Sequence, residues 1–351
     1  AGVNRFAFHR FQAQPWNDRW PGMTMGPYGV HWDRTQTWWD MASAYHEYLA
    51  RCQFLLQRGV TVADVCFLAA EGAPHVFRPP PSATTGSLPD HSGYNFDGCA
   101  PETLLERAEV KNGQLVFPGG TTYKILVLPE RQTMTPQLLR KIKSLVRDGA
   151  TVFGPPPVKS PSLENYPQCD AEVQKLAREV WGDCDGKRAT EHRLGKGRVV
   201  WQPSVLQPLD QYGDFALVTD VLAKMGVPPD FEADGLIRFT HRRDGEAEIY
   251  FVANREAKSV EANCVFRVSG RQPELFDPIN GQTRALPQFS QTEGRTTVPM
   301  RFGPAESFFV IFRGPAKHVE TAAKNFPELK PVLTLDGAWE LRFDQIGRAH
   351  V

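Results

Sequence analysis

No glutamate precedes Glu47, no two cysteines stand in C-x-x-C spacing, no apolar run exceeds strand length, and neither sign of charge is in excess. Each absence removes a class of function. Forty basic residues balance forty acidic ones, so nothing points to nucleic acid, and no basic run approaches a phosphate-binding stripe. The cysteines at 52, 66, 99, 169, 184 and 264 are scattered; that pattern argues against structural zinc and reads as buried thiols. The longest apolar runs, such as "SFFVIF" (Ser307–Phe312), are too short to span a membrane as a helix. No G-x-G-x-x-G opens a helix and no G-x-x-x-x-G-K-[ST] occurs, so a nucleotide cofactor is not expected. At the start there is no initiator Met, no basic n-region and no h-region; the alternation of "VNRFAFH" predicts a strand over Val3–Phe8 already under way. At the end, "QIGRAHV" has no periodicity and matches what a common sequencing-adapter read-through would encode. The expectation is an internal piece of a longer product, with residues 345–351 a non-native tail.

What is present is aromatic and modular. Hydrophobic content of 41% and charged content of 23% over 351 residues predict two or three globular domains. Five of the eight tryptophans lie in "QPWNDRWPGMTMGPYGVHWDRTQTWWD" (Gln14–Asp40), which carries too many Pro and Gly residues for one helix. A helix follows from Thr35–Thr37, with Trp38, Trp39, Ala42, Tyr45, Leu49, Cys52 and Leu56 at helical spacing and Gly59 ending it. Trp38 and Trp39 are expected in the core. "VTVADVCFLAA" and "YKILVLPE" read as buried parallel strands. With the helix of Thr135–Gly149 and the strand "ATVFGPPP", they make a right-handed βαβ unit. Short strands at Glu191–Leu194 and Gly197–Gln202 and a helix over Phe215–Met225 complete that layer. "GYNFDG" reads as a loop that carries Tyr94 and Asp97, either at a barrel mouth or on the surface. From Gly235 the period becomes two, with turn residues roughly every ten positions, which predicts an antiparallel β-sandwich turning at "DPING" (Asp277–Gly281). Its core should include Phe251, Phe266, Phe276 and Phe309. "HRR" (His241–Arg243) reads as a solvated cluster beside a hairpin turn, and no site is assigned there.

A strand ending in His9–Arg10–Phe11 and followed by a long loop sits where a (β/α)8 barrel places its active site. Exposed Trp and Tyr faces suit the C–H faces of sugar rings, and Asn, Asp, Arg and His suit their hydroxyls. The candidate substrate-binding residues are therefore His9, Gln14, Trp16, Asp18, Trp20 and Tyr28. The same aromatics could instead pack the loop onto its own domain, with Asp33–Arg34 a surface pair. Asp18 is read as a surface aspartate, with a substrate or calcium-shell contact as its other possible role.

The run from "GVNRFAFHRFQAQPWNDRWPGMTMGPYG" through "RTQTWWD", with "GYNFDGCAPETLLERAEVKNGQLVFPGGTTYKILVLP" and "PELFDPINGQT", resembles glycoside hydrolase family 106, the α-L-rhamnosidases. "LDGAWELRF" is similar to the start of a sugar-binding jelly roll. The resemblance implies inverting hydrolysis of terminal α-L-rhamnosides, calcium, and a periplasmic or extracellular parent protein. It favours the loop as a sugar-site wall. It also implies two catalytic glutamates on earlier barrel strands, which no residue before Glu47 can supply. No catalytic residue is therefore assigned, and the 351 residues alone are expected to be inactive. The expected fold class is multidomain α/β plus all-β. It comprises the last strand and helix of a (β/α)8 barrel (1–58), a flavodoxin-like, class I amidotransferase-like domain (59–232), a β-sandwich (233–315), and a linker with the start of a jelly roll (316–344). A non-catalytic carbohydrate-binding role is the alternative. An amidotransferase is disfavoured because no Cys stands at a strand-to-helix elbow, Cys66 lying inside its strand. The expected partner is carbohydrate, with no nucleic acid and no membrane.

Overall fold

The computed structural model describes residues 3–19, 22–72, 77–85, 90–91, 93–206, 210–316, 323–328 and 330–340. Val3–Phe8 forms no strand, contrary to the alternation of its side chains. A strand needs a neighbouring ladder; here side chains of the following helix take the backbone's place, with Phe6 N–H donating to Gln53 Oε1 at 2.8 Å. Regular structure begins with a 3-10 turn at Trp39–Met41 and continues as α1 (Ala42–Leu56), later than expected. Ala42, Leu49, Cys52 and Leu56 are its buried positions. Gly59 then turns the chain with φ 54, and a Cβ there would strike the Arg243 carbonyl, so only glycine fits.

The chain next makes β1 (Val60–Thr61), which leaves the α/β layer and pairs antiparallel with Arg242 and Arg243 of the sandwich. The layer itself is built from β2 (Val65–Leu68), a small pair β3 (Thr84–Thr85) and β4 (Asp90–His91), β5 (Phe96–Cys99), α2 (Pro101–Arg107), and a three-stranded flap of β6 (Glu109–Lys111), β7 (Gln114–Val116) and β8 (Thr122–Tyr123). Then come β9 (Ile125–Val127), α3 (Pro136–Asp148), β10 (Thr151–Phe153), α4 (Gln168–Trp181), β11 (Glu191–Leu194), β12 (Gly197–Val200) and α5 (Phe215–Lys224). Sheet order is β11-β12-β10-β9-β2-β5, parallel except for β11. Strand alternation divides the core in two. Cys66 and Leu68 join α2, α3 and α4 on one face, while Val65 and Phe67 meet α5 on the other. Burial on both faces explains why β2 and β9 read as unbroken apolar runs.

The predicted β9–α3–β10 unit is present. Thr135 caps α3 by accepting from Leu138 N–H at 3.3 Å, and Gly149 closes it at φ 128. Thr135→Ala should lower stability by about 1 kcal/mol in chemical denaturation, the usual loss for an N-cap. "GYNFDG" divides: residues 93–95 are non-strand, as expected, but residues 96–98 enter edge strand β5 and carry Asp97 with them. Tyr94 is buried and donates to the Val227 carbonyl, and Asp97 accepts from Tyr123 Oη at 2.9 Å. Both are committed to packing.

The sandwich pairs two antiparallel sheets. One runs β1-β14-β15-β21-β17-β18 and the other β13-β16-β20-β19, from β13 (Phe231–Ala233), β14 (Ile237–Asp244), β15 (Ala247–Asn254), β16 (Val260–Phe266), β17 (Arg271–Phe276), β18 (Thr283–Ala285), β19 (Ser290–Thr292), β20 (Arg295–Phe302) and β21 (Ser307–Pro315). Phe266 lies between the sheets, as expected. Phe309 is core too, fully buried, but in a second cluster on the outer face, where Phe251 and Phe276 are only partly buried, because alternation turns all three away from Phe308 and Val310. That outer face is covered by α1: Cys52 and Leu56 pack on Ile249, Phe309 and Ile311, and Tyr48 Oη meets Ser307 Oγ at 2.8 Å. The turn at Asp277–Gly281 forms, and Arg51 of α1 donates to the Ile279 carbonyl at 2.7 Å.

Within the expected linker, Asn325 is buried and clamps the sandwich, donating to the Gln288 and Pro299 carbonyls and accepting from Gln288 N–H. The expected jelly-roll strand is not formed over residues 330–340. A lone strand has no ladder to join. Residues 341–344 and the expected tail, 345–351, lie outside the described residues.

Candidate active-site loop

The loop after Phe8 is closed at its base by three backbone bonds. Arg10 N–H donates to Val30 O at 2.9 Å, Val30 N–H to His9 O at 2.8 Å, and Trp32 N–H to Arg10 O at 3.2 Å. Glycine at position 29 permits this approach, since a Cβ would collide with the His9 carbonyl.

Above that base, Gln14 acts as a brace. Its Nε2 donates to Met23 O at 2.6 Å and to Asp33 Oδ2 at 3.1 Å, and its Oε1 accepts from Met23 N–H at 2.7 Å. The missing Cβ of Gly22 leaves room for the amide. Gln14 is buried with both ends of its amide engaged, so it does not present itself to a sugar as expected. Asp33 is likewise no surface residue: it is 1% exposed and accepts from Thr35 N–H at 2.7 Å and from the Thr35 hydroxyl. Burial alone would raise its carboxyl. The bonds from Thr35 and Gln14, with Arg34 beside it, hold it below the ordinary aspartate value instead. Arg34 points away, to Gln14 O at 2.7 Å and Asn17 Oδ1 at 2.8 Å. The pair Asp33–Arg34 thus braces two arms of the loop from one dipeptide.

The other candidates are presented outward. His9 and Asp18 are exposed, Trp16 is 46% exposed with the Arg19 guanidinium 5.8 Å from its ring, and Tyr28 is 72% exposed. The base ladder sets His9 against Gly29, next to Tyr28, while Trp16 and Asp18 sit on the arm that Arg34 fixes through Asn17. Trp20 lies outside the described residues. Trp38 and Trp39 are half-buried rather than core; Trp32 takes that role at 8% exposed. Its ring lies 5.2 Å from Phe8, 5.0 Å from Trp38, 5.6 Å from Tyr45 and 4.6 Å from His46. Gln12 Oε1, His31 Nε2 and Trp32 Nε1 are buried with no hydrogen-bond partner. Each such atom costs about 1–3 kcal/mol.

Carboxylates in this region are few: Asp18, the committed Asp33, exposed Asp40, and Glu47, whose Oε2 is paired to Arg51 on α1 at 2.8 Å. An inverting acid and base stand roughly 6.5–9.5 Å apart across a sugar; of these four, Asp33 is engaged by Thr35 and Gln14 and Glu47 by Arg51. Among the described residues no three His, Cys, Asp or Glu side chains converge on one point. Cys66 is fully buried, and contact with the Cys99 thiol together with burial pushes its own thiol up, the reverse of an activated nucleophile.

The largest departure from expectation is His241. It is not solvated but 1% exposed, although the cluster does run up to the hairpin turn at Gly245 and Arg243 is exposed as expected. Its Nδ1 lies 3.0 Å from both Asp230 oxygens and its Nε2 lies 2.9 Å from Glu248. Tyr250 stacks on the ring at 3.8 Å and donates to Asp230 at 2.8 Å. Arg267 continues the chain to Asp230 at 3.5 Å and to Asp64 of the α/β layer at 3.0 Å. Parity could have found it, because His241 shares the inward register of Phe239. Buried and bonded at both ring nitrogens, it reads as a joint between layers.

Comparison with known proteins bears on the loop directly. Over 319 residues (90% of it) the chain is 36% identical to a putative beta-glucuronidase from Formosa agariphila, covering 25% of that protein. It superposes on a rhamnosidase from Novosphingobium sp. PP1Y with a TM-score of 0.77 and 31% identity, covering 92% of this chain and 29% of that one. The chain thus spans between a quarter and a third of the length of these relatives. A family model described as alpha-L-rhamnosidase matches residues 1–291, the braced loop included. The chain belongs to the glycoside hydrolase 106 family.

Proposed function

We propose that residues 3–34 form one wall of the active site of an inverting glycosidase that removes terminal α-L-rhamnosyl units, with the catalytic acid and base supplied from outside these 351 residues. The observation that carries this reading is the brace. Gln14 and Asp33 are spent on holding a loop whose aromatic rings, Trp16 and Tyr28, are left in solvent. Exposed rings held on one braced loop supply the flat apolar faces that a sugar-binding wall needs. Partnerless polar atoms at Gln12, His31 and Trp32 add that the segment is shaped for something more than itself. The loop would bind and orient the sugar, its rings packing on C–H faces and His9 or Asp18 meeting hydroxyls. Proton transfer would fall to groups beyond this chain. A periplasmic or extracellular setting belongs to the same proposal.

The test uses a longer protein that contains this segment, assayed on an aryl α-L-rhamnoside and an aryl β-glucuronide. Release from the rhamnoside, with Trp16→Ala and Tyr28→Ala each raising KM about tenfold, is the expected result, the loss of one packed ring being worth about 1–2 kcal/mol. Release from the glucuronide alone would reverse the substrate assignment, in line with the name of the Formosa relative. The 351 residues by themselves should release neither product, and turnover by them would overturn the placement of the catalytic pair.

A further inference from the structure

In a chain with forty residues of each charge, one groove has six basic residues and a single acid in its lining. Two cavities of about 360 and 350 Å3 lie at the N-terminal ends of the parallel strands and share Gln114, Lys124 and Val227, so they form one continuous trough. The first is lined by Lys124, Arg193, Lys196 and Arg198 and by no acid. Lys124, Arg243 and Arg267 line the second, where Asp64 is the sole acid and is already held by Arg267. Glu191 reaches Arg193 and Arg198 from the flank, at 3.3 and 3.0 Å. Among the described residues no carboxylate lies within ion-pair distance of Lys124 or Lys196.

The placement is built by the fold. Lys124 is fixed by its backbone bond to Asp64 O at 2.8 Å, and Lys196 stands in the tight β11–β12 turn beside Gly195 at φ 61. The β6–β7 turn, Asn112–Gly113 with φ 52 and 75, closes the rim. Neutral hydrogen-bonding groups, Asn112, Gln114 and Thr151, alternate with the cations, and no aromatic ring lines either cavity. Cations focused in a trough concentrate anions. The missing rings leave bases nothing to stack on, which disfavours single-stranded nucleic acid. Hydroxyl-matching groups between charges suit an acidic sugar chain. The second cavity opens just past the C-terminal end of α1, while the aromatic loop stands at its N-terminal end. A 15-residue helix separates them by about 22 Å.

We propose that this trough binds a carboxylate- or sulfate-bearing saccharide chain, one acidic unit in each cavity with Lys124 between them. The saccharide class rests on the glycosidase reading above; the anionic class rests on the trough alone. The test is calorimetric titration of the full chain with polygalacturonate oligosaccharides and with chondroitin sulfate, which separate carboxylate from sulfate recognition. Dextran and duplex DNA serve as controls, in 50 and 200 mM salt. Binding of at least one acidic saccharide is expected, weaker at higher salt, with no binding of dextran. Lys196→Glu and Lys124→Ala should each weaken it about tenfold or more with unchanged circular dichroism, as loss of a charge-assisted bond would. Lack of binding to both acidic saccharides, equal binding by both variants, or tighter binding of DNA through the same lysines overturns the proposal. In the longer protein, Lys196→Glu should leave aryl rhamnoside release unchanged, so the trough and the active-site wall can fail separately.

Discussion

Asp230→Asn is expected to lower the free energy of unfolding by about 3–5 kcal/mol, the cost of stranding buried charge when one partner is removed. Asp230 is fully buried and serves His241, Tyr250 and Arg267 at once. Asparagine would retain one acceptor but bring an NH2 against donors on three sides. His241→Leu should cost less, because Asp230 keeps Tyr250 and Arg267 and Glu248 keeps Arg243. Urea denaturation followed by fluorescence measures both; a loss under 1 kcal/mol for Asp230→Asn would mean that the network is not buried as described. The pH dependence has a definite sign. Burial would lower His241, but Asp230 and Glu248 hold it above its ordinary 6.5, so its contribution is complete below about 6.5 and lost as pH rises through the folded value. Burial would raise Asp230 and Glu248, yet His241 keeps both below their ordinary values, so their contribution stands above about 4 and is lost as acid reaches the depressed values. Stability should plateau between these limbs, and His241→Leu should flatten the alkaline one.

Asp33→Ala is expected to lower kcat/KM on an aryl rhamnoside by about a hundredfold in a longer protein carrying this loop, the scale of loss when positioning slips by about an ångström. Removing the carboxylate frees Thr35 N–H and Gln14 Nε2 inside the loop, and with Gln14 loose the Met23 arm has no tether. The rings of Trp16 and Tyr28 would then wander, so KM should rise along with the fall in kcat. Asp33→Asn separates positioning from charge. Its oxygen can still accept from Thr35, while its NH2 would oppose the Gln14 amide, which predicts an intermediate loss. Equal, near wild-type activity in both variants would show that the brace plays no part in presenting the loop.

What could be read in advance was whatever repeats locally. The period-two runs from Gly235 onward and the apolar strands around α3 carry their partners' signature in their own alternation, so sheet type followed from spacing. Helix α4 carries a stripe of its own, Val173, Leu176, Ala177 and Val180, yet no helix was expected there, since it opens after Pro167 with no capping side chain to mark its start. The loop was legible only in kind. Trp16 and Tyr28 announce themselves by composition, whereas Gln14 meets Asp33 across nineteen positions through a space left by Gly22. No pattern within a window reveals such a pairing. Val3–Phe8 shows the converse failure: its alternation is real, but a strand is a property of two segments, and among the described residues no second segment pairs with it.

The docking of α1 has a consequence for how the molecule comes apart. The helix that carries the aromatic loop is fastened to the outer face of β15 and β21 and to the Asp277–Gly281 turn, more than 190 residues away in the chain, while β1 is stitched to β14. The loop therefore shares its fate with the sandwich rather than with the α/β layer that follows it along the chain. Protection of α1 amides against exchange should rise and fall with that of β21, and a cut made between residues 58 and 59 would divide the sequence without dividing the unit that melts.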